Sequence, residues 1–569
     1  MKNIKKKNLN NIITRIVYDN IFFEFYLFLM KATDEQLAIK DAAEKGLSFK
    51  VLAYAGSGKT KTMLAACRVI SANNTKNKKD GKGLFLAFNR AIADEAARNL
   101  RKFSINAEAK TWHKLAISSI NKEFKSKLNN LSNANKDLIA LMDSLGVIPS
   151  LNIKIDRNEK DIKLKKQTNY VSAKALKYMI CAAIEDYCSS ADIEIKTIHF
   201  ENSRPDWIDP VYFHKEIVQT YLFPIAKKAW EAICDPDNHK FQLTFGHALK
   251  IYQLSKPDLS SLYNYLIVDE AQDTDRVALE IINSQDTNKI QIIVVGDSFQ
   301  QIYQWRGAQD ALRNISIPLE FYLTKSFRFG NELANFATSI LTSHFTGKTI
   351  NPIKGNENIN TAIVQCKNKY NNYEELNTII TRTNSGAFEV LMKLKEDFPH
   401  LNISLNIDLR SINKFVDAYE RLSSLKPQHS DSPLAIFSSI GELEEYLDHA
   451  NLDSEISTPY NLIKLFGLLK IKNTLSQIKN NSYSSHLCIT TAHKSKGLEY
   501  DNVLIYNDFN DFIFKSKNTD KTNKDDIQYI FQPKTDEEAR LFYVAITRAK
   551  KKLILENLHC HISNLSLVA

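Results

Sequence analysis

Three short, mainly apolar runs in the first 300 residues each end in a polar or glycine-rich turn. They occupy residues 49–52, 266–268 and 290–295. Apolar runs of this length without polar alternation are typical of strands buried on both faces of a parallel sheet. In open parallel α/β sheets the ligand binds beyond the carboxyl ends of the strands. The pattern therefore predicts an α/β fold whose functional residues follow these runs.

The turn after the first run has the composition of a phosphate-binding loop. Residues 53–60 read Ala-Tyr-Ala-Gly-Ser-Gly-Lys-Thr and lead into a helix-forming stretch. Gly56 and Gly58 allow backbone N–H groups to turn toward phosphates, and the start of the helix adds its positive dipole end. Lys59 can reach the outer phosphates, and the Thr60 hydroxyl suits Mg²⁺. The alternative is a tight structural turn, since alanine opens the motif where the simplest pattern has glycine.

Acidic and amide side chains follow the other two runs. Asp269 and Glu270 come directly after the second run, and Asp297 and Gln300 come after the third. In phosphoryl-transfer ATPases a strand-end carboxylate holds Mg²⁺ and a neighbouring group orients the attacking water. Asp269 suits the first role and Glu270 the second. A chance acidic pair is the alternative for each taken alone, but the order of the three runs favours a nucleotide site.

The composition narrows the class of protein further. The chain has 569 residues, of which 44% are hydrophobic and 25% charged, so we expect several domains with large cores. The formal net charge of +10 is compatible with a polyanionic partner such as nucleic acid but does not establish one. The seven cysteines include no Cys-x-x-Cys pair, which favours a reduced, cytoplasmic compartment. The interrupted apolar stretch near the N-terminus is too charged for a membrane span, so we expect no membrane partner.

Ten motifs follow one another along nearly the whole chain. In order they are 33–36, 53–60, 88–90, 111–113, 268–273, 296–308, 326–328, 381–384, 491–499 and 543–549. Together they resemble superfamily 1 helicases of the UvrD/Rep type. The stretch 230–255 also resembles the F-box DNA helicase branch, although we expect no F-box in the residues before the first motif. The resemblance implies an α/β fold with two RecA-like P-loop lobes, each a mainly parallel sheet with flanking helices, and helical insertions.

The resemblance implies roles around ATP and Mg²⁺. Gln36 is expected to read adenine, and Phe327 to stack on it where the family often has tyrosine. Gln300 is expected to sense the γ-phosphate. Arg328 and Arg548 resemble arginine fingers, which raise rates roughly 10³- to 10⁵-fold once the lobes close; surface salt bridges are the alternative. The expected sets are Lys59, Asp269, Glu270, Gln300, Arg328 and Arg548 for catalysis; Gln36, Ala55, Gly56, Ser57, Gly58, Lys59, Thr60, Phe327 and Glu499 for the nucleotide; and Thr60 and Asp269 for Mg²⁺.

The resemblance also implies a site for single-stranded DNA. Bases stack on aromatic side chains without sequence preference, at about 1–3 kcal/mol per base. For every aromatic residue here, packing in the core is the alternative, and for Trp112 the two interpretations are evenly balanced. The residues expected at this site are Phe88, Trp112, His113, Tyr303, Trp305, Arg306 and His493.

Motif order predicts the domains. A first ATP-binding lobe takes 31–110 and 245–320, with a helical insertion at 111–244. A second lobe takes 321–394 and 479–569, with a reduced insertion at 395–478. Residues 1–30 form an extension, and we hypothesise that Met30 is the native start; a packing helix added to the fold is the alternative. A mass spectrum of the native protein that contains residues 1–29 would exclude the Met30 start.

Two classes of function remain open. The first is an ATP-dependent 3′→5′ DNA helicase or translocase in repair or recombination, acting on single-stranded DNA and single-strand/double-strand junctions. The second is a DNA-stimulated ATPase subunit of a multi-protein system, such as a defence system, with a nuclease or repair factor as protein partner and little unwinding of its own. A nucleotide-binding protein without motor activity is less favoured, because both expected arginine fingers are present.

Overall fold

A computed structural model describes most of the chain between residues 32 and 556. The described residues are 32–76, 81–120, 122–128, 142, 150–154, 168–171, 173–204, 208–238, 243–302, 310–347, 349–366, 372–407, 409–427, 432–434, 437–449, 454–477, 486–509, 515–516, 529–530 and 535–556. The N-terminal extension with Met30 therefore lies outside the described residues, as do Tyr303, Trp305 and Arg306. Across the part that is described, we find no helix with the length and apolar character needed to cross a bilayer.

The chain divides into two compact units. Among the described residues, the first unit comprises those up to Ala53 and those from Lys59 to Leu323, and the second comprises Tyr54–Gly58 and those from Thr324 onward. Each unit contains a six-stranded sheet in which every pair of neighbouring strands is parallel. Two parallel sheets with flanking helices confirm the predicted α/β class. The finer division into lobes and insertions stays a prediction.

The sheet of the first unit has the strand order β3-β2-β6-β7-β1-β8, and two short strands, β4 and β5, pair separately. Its helices cover both faces. The strands are β1 Phe49–Ala53, β2 Lys82–Ala87, β3 Ala107–Thr111, β4 Leu151–Lys154, β5 Thr168–Val171, β6 Tyr263–Val268, β7 Gln291–Gly296 and β8 Glu320–Leu323. The helices are Asp34–Glu44, Lys59–Lys76, Arg90–Lys102, Trp112–Ser119, Lys122–Ser126, Ala173–Ser189, Pro210–Tyr212, Phe223–Cys234, Phe245–Leu254, Arg276–Asn283 and Ala311–Asn314, with a π-helix at Phe213–Leu222.

The apolar runs that mark these strands are continuous because both faces of the sheet are buried. In β7, Ile292 and Val294 pack into one apolar cluster while Ile293 and Val295 pack into another on the opposite face. Successive side chains of a strand point to opposite faces, so a strand covered on both sides needs an apolar residue at every position. β6 and β7 are paired in parallel, so their polar C-terminal ends lie side by side.

The sheet of the second unit has the strand order β11-β12-β10-β13-β16-β9. Four helices within the predicted reduced insertion share an apolar cluster that includes Phe415, Tyr460 and Ile471. The strands are β9 Ala362–Cys366, β10 Thr378–Thr381, β11 Ile403–Asn406, β12 Leu487–Thr491, β13 Tyr500–Ile505, β14 Lys515–Ser516, β15 Tyr529–Ile530 and β16 Ala549–Glu556. The helices are Asn331–His344, Asn384–Asp397, Leu409–Ser423, Ile440–His449, Ser454–Phe466, Leu468–Gln477, Ala492–Ser495 and Asp536–Ile546.

Candidate nucleotide and DNA sites

The loop after β1 has the backbone of a phosphate cradle. Gly56 has φ +72° and Gly58 has φ +79°, a region that glycine adopts without steric cost. A Cβ built on Gly56 would lie 2.6 Å from the Ser326 hydroxyl oxygen, so this position has no room for a side chain. The Ser57 hydroxyl is buried and has no hydrogen-bond partner among the described residues. A buried polar group of this kind is costly unless a ligand satisfies it, so the loop fits a phosphate group.

Residues 54–58 of this loop have hydrogen-bond partners within the second unit. The backbone N–H of Phe327 donates to the Gly56 carbonyl at 2.8 Å. The backbone N–H of Ala55 donates to the Tyr543 hydroxyl at 3.2 Å. These bonds fix the loop backbone beside Phe327, the residue expected to stack on adenine.

Lys59 opens the helix after the loop and lies beside the end of β6. Its ammonium nitrogen is 3.2 Å from Oε1 and 3.4 Å from Oε2 of Glu270. Burial lowers the pKa of Lys59, but the charges of Glu270, Asp297 and Asp269 outweigh burial and raise it. Lys59 is therefore held charged among three carboxylates at the carboxyl end of the sheet.

Asp269 is one of two buried carboxylates in this group, the other being Asp297. Burial and the neighbouring charge of Glu270 raise the pKa of Asp269 to about 7, although Lys59 acts in the opposite direction. A cation bound at this position would favour the ionised carboxylate. Asp269 and Thr60, the residue after Lys59, each offer oxygen atoms, which Mg²⁺ prefers. The residues present therefore fit Mg²⁺.

Glu270 follows Asp269 in a left-handed backbone conformation, with φ 52° and ψ 43°. Non-glycine residues seldom adopt this conformation, and such strain is concentrated at functional sites. Gln300, on the short 3₁₀ turn after β7, donates from Nε2 to the Asp297 carboxylate at 2.7 Å. The first unit thus brings Lys59, Glu270 and Asp269 together and joins Gln300 to Asp297, while their roles in ATP hydrolysis stay predictions.

Gln36 is placed differently from a simple adenine-reading side chain. It is buried, and its amide donates to the Thr62 hydroxyl at 3.0 Å. Its amide oxygen also accepts from the Thr33 backbone N–H at 3.1 Å, which completes a capping box at the start of the helix Asp34–Glu44. Gln36 therefore has a structural function here, and its reading of adenine stays a prediction.

The second unit groups its own predicted residues. Arg328 donates to the Glu499 carboxylate at 2.9 Å and to the Thr547 carbonyl at 3.0 Å. Arg548 is only 1% exposed and donates to the backbone carbonyls of Val544 and Leu498. The two arginines thus lie close to one another at the end of the helix Asp536–Ile546. Because Arg548 is buried and bonded to backbone, its action as an arginine finger stays a prediction.

The described residues expected at DNA differ in their exposure. Phe88 is 37% exposed directly after β2, and His113 is exposed at the start of the helix Trp112–Ser119. Trp112 is 8% exposed and packs in the apolar core of the first unit, which favours core packing over contact with DNA. His493 is half-buried in the second unit.

Phe245 is an aromatic residue that the sequence motifs missed. It is 55% exposed, and its ring centroid lies 6.2 Å from that of His113. The helix Phe245–Leu254 begins at this residue, behind an N-cap formed by the Thr244 hydroxyl. The cap fixes the start of the helix, so a large exposed ring is held beside a predicted DNA residue. The signal available in the sequence was a phenylalanine directly after a capping threonine.

The fold and the loop define a P-loop protein of the α/β class. A family model described as "UvrD/REP helicase N-terminal domain" matches residues 33–316. The chain belongs to the superfamily 1 UvrD-like helicases, which confirms the resemblance carried by the motifs and the predicted α/β fold.

Several curated proteins are similar to this chain. F-box DNA helicase 1 of Gallus gallus is 28% identical over 559 residues, which cover 94% of this chain and 50% of that protein. F-box DNA helicase protein 1 of Schizosaccharomyces pombe is 26% identical over 92% of this chain and 57% of that protein. Gabija protein GajB of Bacillus cereus is 24% identical over 56% of this chain and 68% of that protein. The chain spans about half the length of the F-box helicases that it matches.

Proposed function

We propose that this protein is an ATP-dependent DNA helicase or translocase that moves 3′→5′ on single-stranded DNA, with a role in repair or recombination. The observation that carries the proposal is the 3.2 Å contact between Lys59 and Glu270 beside the buried Asp269. This group lies where a parallel sheet binds ligands, next to a loop shaped for phosphate. Membership of the UvrD-like helicases supports ATP as the nucleotide and DNA as the partner.

Each residue expected at the nucleotide site has a distinct task in this proposal. The amides around Gly56 and Gly58 bind phosphate oxygens, and Lys59 moves from Glu270 to the outer phosphates when the nucleotide binds. Thr60 and Asp269 hold Mg²⁺, which supplies charge neutralisation at the phosphates. Glu270, once free of Lys59, orients the attacking water. Arg328 and Arg548 of the second unit stabilise charge on the transferring phosphate.

The DNA face follows from the exposed rings of the first unit. Phe88 and Phe245 present large exposed rings, and His113 lies beside Phe245. Such rings stack bases of any sequence, as a motor that moves along DNA requires. The directional 3′→5′ movement rests on family membership.

A second candidate function is a DNA-stimulated ATPase subunit of a multi-protein system. The likeness to Gabija protein GajB covers 68% of that protein, a larger share than for the F-box helicases. The two candidates use the same ATP site and differ in whether the chain separates strands alone.

The test measures ATP hydrolysis and strand separation together on duplexes with a 3′ tail, a 5′ tail or blunt ends. Lys59→Ala is the inactive variant. Lys61→Ala is the matched control, because Lys61 is an exposed lysine two residues further along the same helix.

Three outcomes separate the candidates. Unwinding only from the 3′ tail, lost in Lys59→Ala and kept in Lys61→Ala, supports the motor and its direction. DNA-stimulated hydrolysis without unwinding favours the subunit of a larger system. Hydrolysis that survives Lys59→Ala would exclude the proposed ATP site.

A further inference from the structure

Gln272 links the two acidic strand ends of the first unit. It is 0% exposed and lies two residues after Glu270, in the turn that follows β6. Its amide nitrogen donates to Oε2 of Glu270 at 2.5 Å. Its amide oxygen accepts from the backbone N–H of Asp297 at 2.9 Å. Both ends of one buried side chain are therefore engaged, each with the end of a different strand.

The close approach depends on the glycine that ends β7. A Cβ built on Gly296 would lie 2.2 Å from the amide oxygen of Gln272. Real side chains do not come this close, so any residue other than glycine would displace the amide. The fold thus leaves room for this one bridge between the ends of β6 and β7.

The bridge extends to the residues expected to act on ATP. On one side, Glu270 is also bonded to Lys59. On the other side, Asp297 accepts from Gln300 at 2.7 Å through its carboxylate. A continuous chain of hydrogen bonds thus joins Lys59, Glu270, Gln272, Asp297 and Gln300.

We propose that Gln272 is a positioning residue. It holds the Glu270 carboxylate where it can orient the attacking water, and it links this carboxylate to Gln300 through Asp297. This inference rests on the proposed ATPase function. A glutamine amide donates and accepts at once and carries no charge, which suits a position between a carboxylate and a backbone N–H. When Lys59 moves to the phosphates, Gln272 keeps Glu270 in place. The same bridge lets a shift of Gln300 at the γ-phosphate reach the water-orienting carboxylate.

The test uses two variants of Gln272 and one of Gly296. Gln272→Met keeps the length of the side chain and removes both hydrogen bonds, and Gln272→Asn keeps the amide but is one methylene too short to make both. Gly296→Ala displaces the amide without changing it. Gln285→Met is the matched control: Gln285 is also buried and bonded at both ends of its amide, to the backbone of Leu259 and Pro257.

The steady-state ATPase rate with single-stranded DNA separates positioning from binding. We expect the kcat of both Gln272 variants and of Gly296→Ala to fall about 10- to 100-fold, as misplaced catalytic groups do. We expect the KM for ATP to stay close to that of the wild type, and Gln285→Met to keep its kcat. A structural role would instead lower the melting temperature and change kcat and KM together.

A double-variant cycle tests whether Gln272 acts through Glu270. If it does, Glu270→Gln with Gln272→Met hydrolyses ATP in a single turnover no more slowly than Glu270→Gln alone. Additive losses would overturn the proposal, as would a wild-type kcat in the folded Gln272 variants. A wild-type protein that hydrolyses no ATP would overturn the proposed function and this role with it. An active wild type with an equally active Gln272→Met would overturn this role alone.

Discussion

The guanidinium of Arg328 is paired with the carboxylate of Glu499 at 2.9 Å. The arginine is mostly buried whereas the glutamate is half-exposed. A second nitrogen of Arg328 donates to the Thr547 carbonyl, so the side chain is held in one orientation. Glu499 thus serves as the counter-charge of Arg328 in this structure.

Replacing Arg328 tests this arrangement. We expect Arg328→Ala to lower the kcat of DNA-stimulated ATP hydrolysis about 10³-fold, because an arginine finger stabilises charge in the transition state. Steady-state kinetics measure the loss. Arg101→Ala, an exposed arginine of the first unit, is the control and keeps its kcat. A kcat unchanged in Arg328→Ala would show that the pair with Glu499 is only a salt bridge.

Phe88 and Phe245 are expected to stack DNA bases. Each change to alanine should weaken binding to single-stranded DNA by about 1–3 kcal/mol, since stacking contributes that much per base. Fluorescence anisotropy with a labelled oligothymidine measures the affinity. Leu262→Ala is the control, because Leu262 is an apolar side chain of the first unit that is 62% exposed. Equal losses in all three variants would mean that general surface area, and not stacking, determines binding.

Trp112 is expected to stabilise the core of the first unit and not to bind DNA. Trp112→Ala should lower the free energy of unfolding by about 3–5 kcal/mol, because it leaves a large cavity. Denaturant unfolding of the variant measures this loss. The affinity of the milder Trp112→Phe for single-stranded DNA should equal that of the wild type. If Trp112→Phe bound single-stranded DNA more weakly with unchanged stability, Trp112 would instead contact DNA.

Glu108 on β3 makes the stability of the first unit depend on pH. Burial raises its pKa, but hydrogen bonds from Lys110, Tyr263 and Lys82 outweigh burial and lower the pKa to about 2. The stability that these bonds contribute is present above the unfolded pKa near 4.5 and is lost as the pH falls toward 2.

We expect Glu108→Gln to be less stable than the wild type at pH 7 by about 1 kcal/mol, since solvent screens this partly exposed cluster. The difference should shrink between about pH 4.5 and pH 2, as the wild-type carboxylate becomes protonated. Urea unfolding across this range measures it. Glu231→Gln, an exposed glutamate of the first unit, is the control. A stability difference between Glu108→Gln and the wild type that is the same at all pH values would contradict the lowered pKa of Glu108.

Burial and local spacing explain what the sequence made predictable. The apolar positions of β7 predict a strand because both faces of the sheet are covered. The glycine-rich turn before Lys59 predicts a phosphate loop because its backbone geometry is set by neighbouring residues. The burial of Trp112 and the exposure of Phe245 were harder to predict, because an aromatic residue has the same local sequence pattern whether its ring packs in the core or faces solvent. The bridge by Gln272 depends on two strands that are adjacent in the sheet and separate in the chain. Such a contact is set by tertiary packing, which one motif does not encode.

The left-handed backbone of Glu270 has a consequence for the evolution of the site. Glycine or asparagine adopts this conformation at lower cost, so selection for folding alone would place one of them at position 270. Under the proposed function, this strain at Glu270 is tolerated because the carboxylate orients the attacking water. At the turn after β6, thermal stability and a high turnover rate thus favour different amino acids. Variants isolated for higher stability should accumulate at this turn, and those that relax residue 270 should be the slowest enzymes.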